Sequence, residues 1–192
     1  MALTESTMLE LGTLAPEFAL TDVVTGNEVT LDHSRAEKAL LVMFICAHCP
    51  YVQHINGGLA VLGHDYASRS LAIVAISSND ATTHPGDSPE GLKEQAETFG
   101  FTFPYVYDET QAVAQAYKAA CTPDFFLFDS DFRLVYRGQF DGSRPGTDIP
   151  VTGNDLRAAI DLVLAGEPVP TDQRPSIGCN IKWKAEDSGS GS

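Results

Sequence analysis

The apolar positions fall into runs of two kinds. Ala39 to Ile45 (ALLVMFI) and Leu71 to Ser77 (LAIVAIS) are continuous and rich in branched residues, the pattern of strands buried on both faces. Asp124 to Phe128 and Leu134 to Phe140 read as two more strands, joined by the turn Asp129-Ser130-Asp131, and Tyr105 to Tyr107 as a short one. Ahead of them EFALTDVVTGNEVTL reads as a β-hairpin around Thr25-Gly26-Asn27. The helices are marked largely by their ends. Pro50 opens one that runs to about Ser68, weakened by Gly57 and Gly58. Ser88-Pro89-Glu90 starts another that reaches Phe99, with Gly100 as its stop. Asp108 or Thr110 caps a third over Gln111 to Ala120. The spacing of Leu156, Ile160, Val163 and Leu164 marks a last one from about Asn154 to Ala165.

The order hairpin, β, α, β, α, β, α, β, β, α predicts an α/β sandwich. Its mixed central sheet is parallel in the early βαβ units, antiparallel at the late ββ edge, and flanked by helices. Residues 11–184 are expected to form one domain. Residues 1–10 are expected to be a flexible N-terminus, and residues 185–192, ending SGSGS, a flexible tail. The segment GEPVPTDQRPSIGCNIKWK, which carries three prolines, is expected to be an ordered extension lying on the domain.

Composition narrows the function classes. The chain has 192 residues, of which 43% are hydrophobic, enough for one sizeable core. Its net charge of −14 repels nucleic acid and anionic lipid, so neither is an expected partner. No apolar run approaches the ~20 residues that span a bilayer. The opening MALTESTMLELGTLAPEF has no basic start and no long apolar stretch, so no secretory leader is expected. The expected location is therefore cytoplasmic, where cysteines serve catalysis or metal binding more often than stapling.

The chemistry concentrates in FICAHCPYVQH, Phe44 to His54. A buried strand delivers Cys46 and Cys49, in Cys-x-x-Cys spacing, to the start of a helix. With Pro50 as first helical residue, Cys49 is the N-cap. Its sulfur then faces unpaired backbone N–H groups and the positive end of the helix dipole. Both favour thiolate, the reactive form. His48 adds positive charge beside it when protonated, or is an ordinary solvated loop histidine. Cys46, at the strand end, lacks the dipole; it is a resolving thiol or a small buried residue. A thiolate–imidazole metal site from Cys46, Cys49, His48 and Cys121 is a competing reading. The spacing lacks a second Cys-x-x-Cys or His-x-x-x-His pair, so no metal and no cofactor are expected.

Three separated segments carry a resemblance: His48-Cys49-Pro50, Cys121-Thr122-Pro123-Asp124-Phe125-Phe126 and Gly178-Cys179-Asn180-Ile181-Lys182-Trp183. With the opening LGTLAPEFALTD, they are similar to the peroxiredoxin-like, redoxin branch of the thioredoxin-like superfamily, over roughly Leu11 to Lys184. The resemblance implies a thioredoxin-like sandwich and a redox-active Cys49. It also implies a cis peptide bond before Pro123, with that proline lying against the active cysteine, and a substrate groove at His48, Pro50, Thr122 and Pro123. Two departures stand out. The in-helix partner of the N-cap cysteine in ordinary thioredoxins falls on Val52. The peroxidatic cysteine of peroxiredoxins falls on Val52 too, with their threonine on Cys49, their proline on Ile45 and their arginine near Pro123. The usual peroxide-activating set is therefore missing.

The leading expectation is a thiol–disulfide oxidoreductase in which Cys49 attacks a protein or small-molecule disulfide and a second thiol resolves the mixed disulfide. Cys46 is the first choice for that second thiol and Cys121 the second; Cys179, whose location the sequence does not supply, is a further candidate. The reductant is not identified. The alternatives are a cysteine peroxidase or oxidant sensor, and a non-enzymatic module that binds metal or protein.

Overall fold

In the computed structural model, which describes residues 2–35 and 37–185, the strand Ala39–Phe44 is buried at every position. It is the fourth in chain order, after β1 (Leu3–Glu5), β2 (Ala19–Thr21) and β3 (Glu28–Thr30), and so is β4. It is buried on both faces because it lies at the centre of a five-stranded sheet. On one side it pairs in parallel with β5 (Leu71–Ser77), which pairs in parallel with β6 (Tyr105–Tyr107). On the other side it pairs antiparallel with β8 (Asp124–Asp129), which pairs antiparallel with β9 (Leu134–Gly138). This is the mixed sheet expected from the element order.

The period of two along each strand divides the core into two layers. Leu41, Met43 and Ile45 join Phe125 and Leu127 on the face covered by α1 (Pro50–Tyr66), α2 (Pro89–Phe99) and α4 (Asn154–Leu164). Leu40, Val42 and Phe44 join Phe126 and Phe128 on the opposite face, with Val113, Ala114 and Tyr117 from α3 (Ala112–Ala116) and its exit. The β2–β3 hairpin packs on this second face through Leu20 and Val29.

Of the paired glycines of α1, Gly58 has a packing reason, while a Cβ on Gly57 would meet nothing within 4 Å. A Cβ on Gly58 would meet Val151 Cγ1 at 2.8 Å and Phe140 Cε1 at 3.0 Å, so the small residue lets α1 close on that loop. The third helix is shorter than the expected Gln111 to Ala120. Gln111 and Lys118 adopt left-handed backbone at its two ends. The Asp108 carboxylate still works as the expected cap, accepting from Val113 N (3.3 Å) and Ala114 N (2.9 Å).

One boundary differs from expectation. Within the N-terminus expected to be flexible, β1 pairs antiparallel with β10 (Ile177–Asn180), which pairs in turn with β7 (Cys121–Thr122). This small second sheet joins β1 and β10, from near the two ends of the chain, to the strand entering the domain's core, and its β7 and the middle of β10 are buried. The expected tail from 185 onward lies, beyond residue 185, outside the described residues. Among the described residues no helix is long and apolar enough to cross a membrane.

Candidate active site

The strand β4 runs into Ile45 and Cys46, and the chain then turns through Ala47 and His48 to Cys49, the N-cap of α1 with Pro50 at the first helical position. The turn is pinned from behind by Asp87, a carboxylate with no solvent exposure. It accepts Ala47 N–H at 2.8 Å, His48 N–H at 3.0 Å and Asn79 Nδ2 at 2.9 Å, and pairs with His48 Nδ1. The His48 ring also stacks on His84, with centroids 4.8 Å apart. A second buried network fixes the strand end. Gln95 Nε2 donates to the Cys46 carbonyl (3.1 Å) and to Asn56 Oδ1 (2.9 Å), while Tyr105 Oη donates to Gln95 Oε1.

Opposite this turn lies the segment Cys121-Thr122-Pro123, whose Thr122–Pro123 bond is cis, as expected. The Thr122 carbonyl oxygen is 3.3 Å from Cys49 Sγ, and Thr122 Oγ1 is 3.4 Å from Cys46 Sγ. The nearest sulfur to Cys49 is that of Cys179, on β10: the two Sγ atoms are 2.7 Å apart, and both residues are buried. Cys179 arrives there by register. It lies directly across the β7–β10 ladder from Thr122, so its side chain shares the face of Thr122 and of Cys49. The extension is held down beyond the strand as well. Lys182 N donates to Asn79 Oδ1, and the Lys182 carbonyl accepts from Asp80 N and Gln111 Nε2.

The same alternation removes Cys121 from its expected place. It neighbours Thr122 on β7, so its side chain points to the other face, where Sγ lies 3.6 Å from the Pro123 carbonyl and 4.0 Å from that of Ser176. Burial, and then the nearby Asp124 carboxylate, push its thiol far above the ordinary range. Among the described residues its hydrogen bonds go to the Pro123 and Ser176 carbonyls and not to Cys49.

The electrostatics separate the remaining thiols. Cys49 is drawn down to about 5, first by the Cys46 thiol donating to its sulfur, then by Cys179, the Val52 N–H and Thr122, against an opposing push from burial. Cys46 is pushed well above the ordinary range, chiefly because its proton serves that bond, then by burial and by Asp87. Cys179 is pushed up to about 12 by burial and by its own bond to Cys49. One thiolate therefore sits among protonated thiols. Cys46 acts here as a proton donor rather than as the sulfur in closest contact.

A metal reading gains a different cluster from the one expected. Cys46, His48 and Asp87 bring ligand atoms within 4.8 Å of one another. Both Asp87 oxygens already accept N–H groups of the turn and of Asn79, so the carboxylate is engaged in holding the turn. Of the expected groove residues, Thr122 faces Cys49 through its carbonyl oxygen, Pro50 follows Cys49 as the first residue of α1 and Pro123 follows Thr122 across the cis bond, while His48 turns back to Asp87. His54 lies one turn into α1 and meets Ser143 Oγ at 3.1 Å. Asp87 and the seating of Cys179 escaped the sequence reading.

Residues 11–137 match the AhpC/TSA family. The thiol-disulfide oxidoreductase ResA of Geobacillus kaustophilus is 30% identical over 128 residues, 67% of this chain and 68% of that protein. A crystal structure of a conserved protein from Geobacillus kaustophilus superposes with a TM-score of 0.93 at 55% identity, covering 96% of this chain and 97% of that one. The thioredoxin domain of a thiol-disulfide oxidoreductase from Bacteroides vulgatus, 22% identical, covers 67% of this chain and 88% of its own with a TM-score of 0.57, and shows the shared fold.

Proposed function

The chain belongs to the AhpC/TSA family, and on that footing we propose that it is a thiol–disulfide oxidoreductase with Cys49 as the attacking thiolate and Cys179 as the resolving thiol. The observation that carries this reading is the 2.7 Å contact between the sulfurs of Cys49 and Cys179 at the start of α1. ResA, the curated relative, bears the same class of activity in its name.

The cycle begins when the Cys49 thiolate attacks one sulfur of a protein or small-molecule disulfide. A Cys49 mixed disulfide forms and the other substrate half leaves as thiolate. Cys179 loses its proton and attacks Cys49 Sγ. The substrate's second half leaves, takes up a proton, and a Cys49–Cys179 disulfide remains. The substrate disulfide is reduced to two thiols and the protein's two thiols are oxidised to one disulfide; an external dithiol resets the pair. Cys46, by hydrogen bonding to the Cys49 sulfur, favours the attacking thiolate and also makes it the better leaving group on reduction.

The test is turnover of a small disulfide under a dithiol reductant. Wild-type protein accelerates the exchange, Cys49→Ser falls to the uncatalysed rate, and Cys121→Ser keeps the wild-type rate. Cys179→Ser accumulates a mixed disulfide on Cys49. Turnover that survives Cys49→Ser overturns the proposal.

A further inference from the structure

Two hydrogen bonds behind the redox centre meet on one side chain. Asn79 lies two residues beyond the end of β5 and is buried. Its Nδ2 donates to Asp87 Oδ2 at 2.9 Å, and its Oδ1 accepts from Lys182 N at 2.8 Å. Each partner leads to one of the two redox cysteines. Asp87 Oδ1 accepts the N–H groups of Ala47 and His48, the two residues that precede Cys49. Lys182 lies three residues beyond Cys179, on the chain leaving β10. One buried amide thus bridges the turn that carries the attacking thiolate and the segment that carries the resolving thiol.

The bridge needs an amide. A carboxylate accepts and cannot donate, and a backbone N–H donates and cannot accept. A residue between them must offer a donor at one end and an acceptor at the other, and the same two partners fix which end of the amide is oxygen. The β7–β10 ladder holds Cys179 against Thr122, and Asp87 holds the turn before Cys49. Asn79 joins these two supports to each other. The Lys182 carbonyl, by contrast, accepts from Asp80 N (2.8 Å) and Gln111 Nε2 (2.9 Å), bonds that fix the extension to the domain without reaching the turn.

We propose that Asn79 is a positioning residue for ring closure: by bridging Asp87 and the Lys182 N–H it holds the Cys179 segment against the Cys49 turn, and so sets the rate at which a Cys49 mixed disulfide is resolved. The inference rests on the oxidoreductase reading and deepens its second step. In that step the Cys179 thiolate attacks Cys49 Sγ, the bond from Cys49 to the substrate sulfur breaks, and the substrate thiolate leaves and takes up the proton that Cys179 lost. Cys179 is pushed up to about 12 by burial and by its bond to Cys49, so its thiolate is scarce at neutral pH and closure depends on alignment. Attack by Cys49 on the incoming disulfide does not require Cys179 to move, so the two steps respond differently to loss of the bridge.

The experiment mixes pre-reduced protein with one equivalent of dithiobis(2-nitrobenzoate). The first chromophoric thiolate released reports attack by Cys49 and the second reports closure; Cys179→Ser, which releases the first alone, fixes that assignment. Asn79→Asp keeps the size and the acceptor for Lys182 N but sets a carboxylate against Asp87. Asn79→Ala removes both bonds and adds no charge. In both variants the ratio of closure rate to attack rate is expected to fall about tenfold. In the double variant Asn79→Asp/Asp87→Asn donor and acceptor change places, and the ratio returns to within about threefold of wild type. A wild-type ratio in Asn79→Asp overturns the proposal, as does a second release that persists in Cys179→Ser. A loss in Asn79→Asp that Asn79→Ala does not share is an effect of charge and overturns it, and so does a double variant no better than Asn79→Asp alone. Parallel slowing of both steps reduces Asn79 to a general support of the fold and overturns it too. Should Asn79→Ala fail to fold, the exchange with Asp87 still decides. If wild-type protein releases no first equivalent, or Cys49→Ser releases it equally fast, the oxidoreductase reading fails, and the role of the bridge with it.

Discussion

Gly178 lies so close to Thr122 that a Cβ built on it would stand 1.9 Å from the Thr122 carbonyl oxygen. That oxygen is also the one facing Cys49 Sγ. The absence of a side chain at 178 is what lets β10 lie flat on β7 and bring the next residue, Cys179, to the active thiol. Gly178→Ala is therefore expected to push β10 away, costing about 1–3 kcal/mol of stability by overpacking. It should slow closure of the Cys49–Cys179 bond more than it slows attack by Cys49. Denaturant unfolding and rapid-quench thiol counting check the two parts. A variant that closes the bond at the wild-type rate refutes the geometric argument.

Oxidation with a stoichiometric small disulfide should link Cys49 to Cys179. The sulfurs are already in contact across 130 residues of chain. Cys121 points to the opposite face of the same small sheet, and Cys46 holds its proton in a bond to the Cys49 sulfur. Peptide mapping of the oxidised protein under non-reducing conditions reads the connectivity directly. A dominant Cys46–Cys49 or Cys49–Cys121 peptide contradicts the assignment.

The alkylation rate of Cys49 should rise with pH through a midpoint near 5 and then level off, while the other thiols stay slow at neutral pH. Replacing Cys46 or Cys179 by Ala removes a donor to the sulfur and moves the midpoint upward, with the larger shift at Cys46. Stability follows the same shift. The folded value is depressed below the usual thiol value of about 8.5, so this contribution is full above that pH and is lost as pH falls through about 5. Cys49→Ser should flatten the stability curve within that window. Mass-resolved iodoacetamide kinetics and chemical denaturation across pH 4–9 supply the two measurements.

Asp124, fully buried beside Pro123, is pushed up to about 7 by burial, against hydrogen bonds from Ser6 and from backbone N–H groups. Here the sign is opposite. The unfolded carboxyl ionises near 3.9 while the folded one keeps its proton to about 7, so its contribution falls as pH rises between those values and stays low above them. Asp124→Asn keeps an acceptor for the Ala120 N–H, 3.4 Å away, and removes the charge. The variant should be more stable than wild type at pH 8, by on the order of a few kcal/mol, and no more stable at pH 4. Thermal unfolding at the two pH values decides it; a gain of equal size at both would show that charge burial is not the cause.

The sequence by itself determined the elements whose signal is local. Continuous apolar runs marked β4 and β5, and Leu71–Ser77 forms over its expected length. Ser88 and Gly100 bounded α2 because a cap and a left-handed stop depend on a few neighbouring residues. The position of Cys49 before a helix-opening proline was legible for the same reason, since dipole and unpaired N–H groups belong to the helix end itself. Tertiary structure alone decided the partner of that sulfur. The strands β1, β7 and β10 have three, two and four residues, too short for an alternating pattern to show, and β1 pairs with β10 across more than a hundred residues of chain. Which face Cys121 and Cys179 present follows from the register of that ladder, and a shift of one residue would have exchanged them. Asp87 was silent in the sequence for a related reason. A carboxylate takes its role from the groups that surround it, and here those groups come from loops that meet only when the sheet has formed.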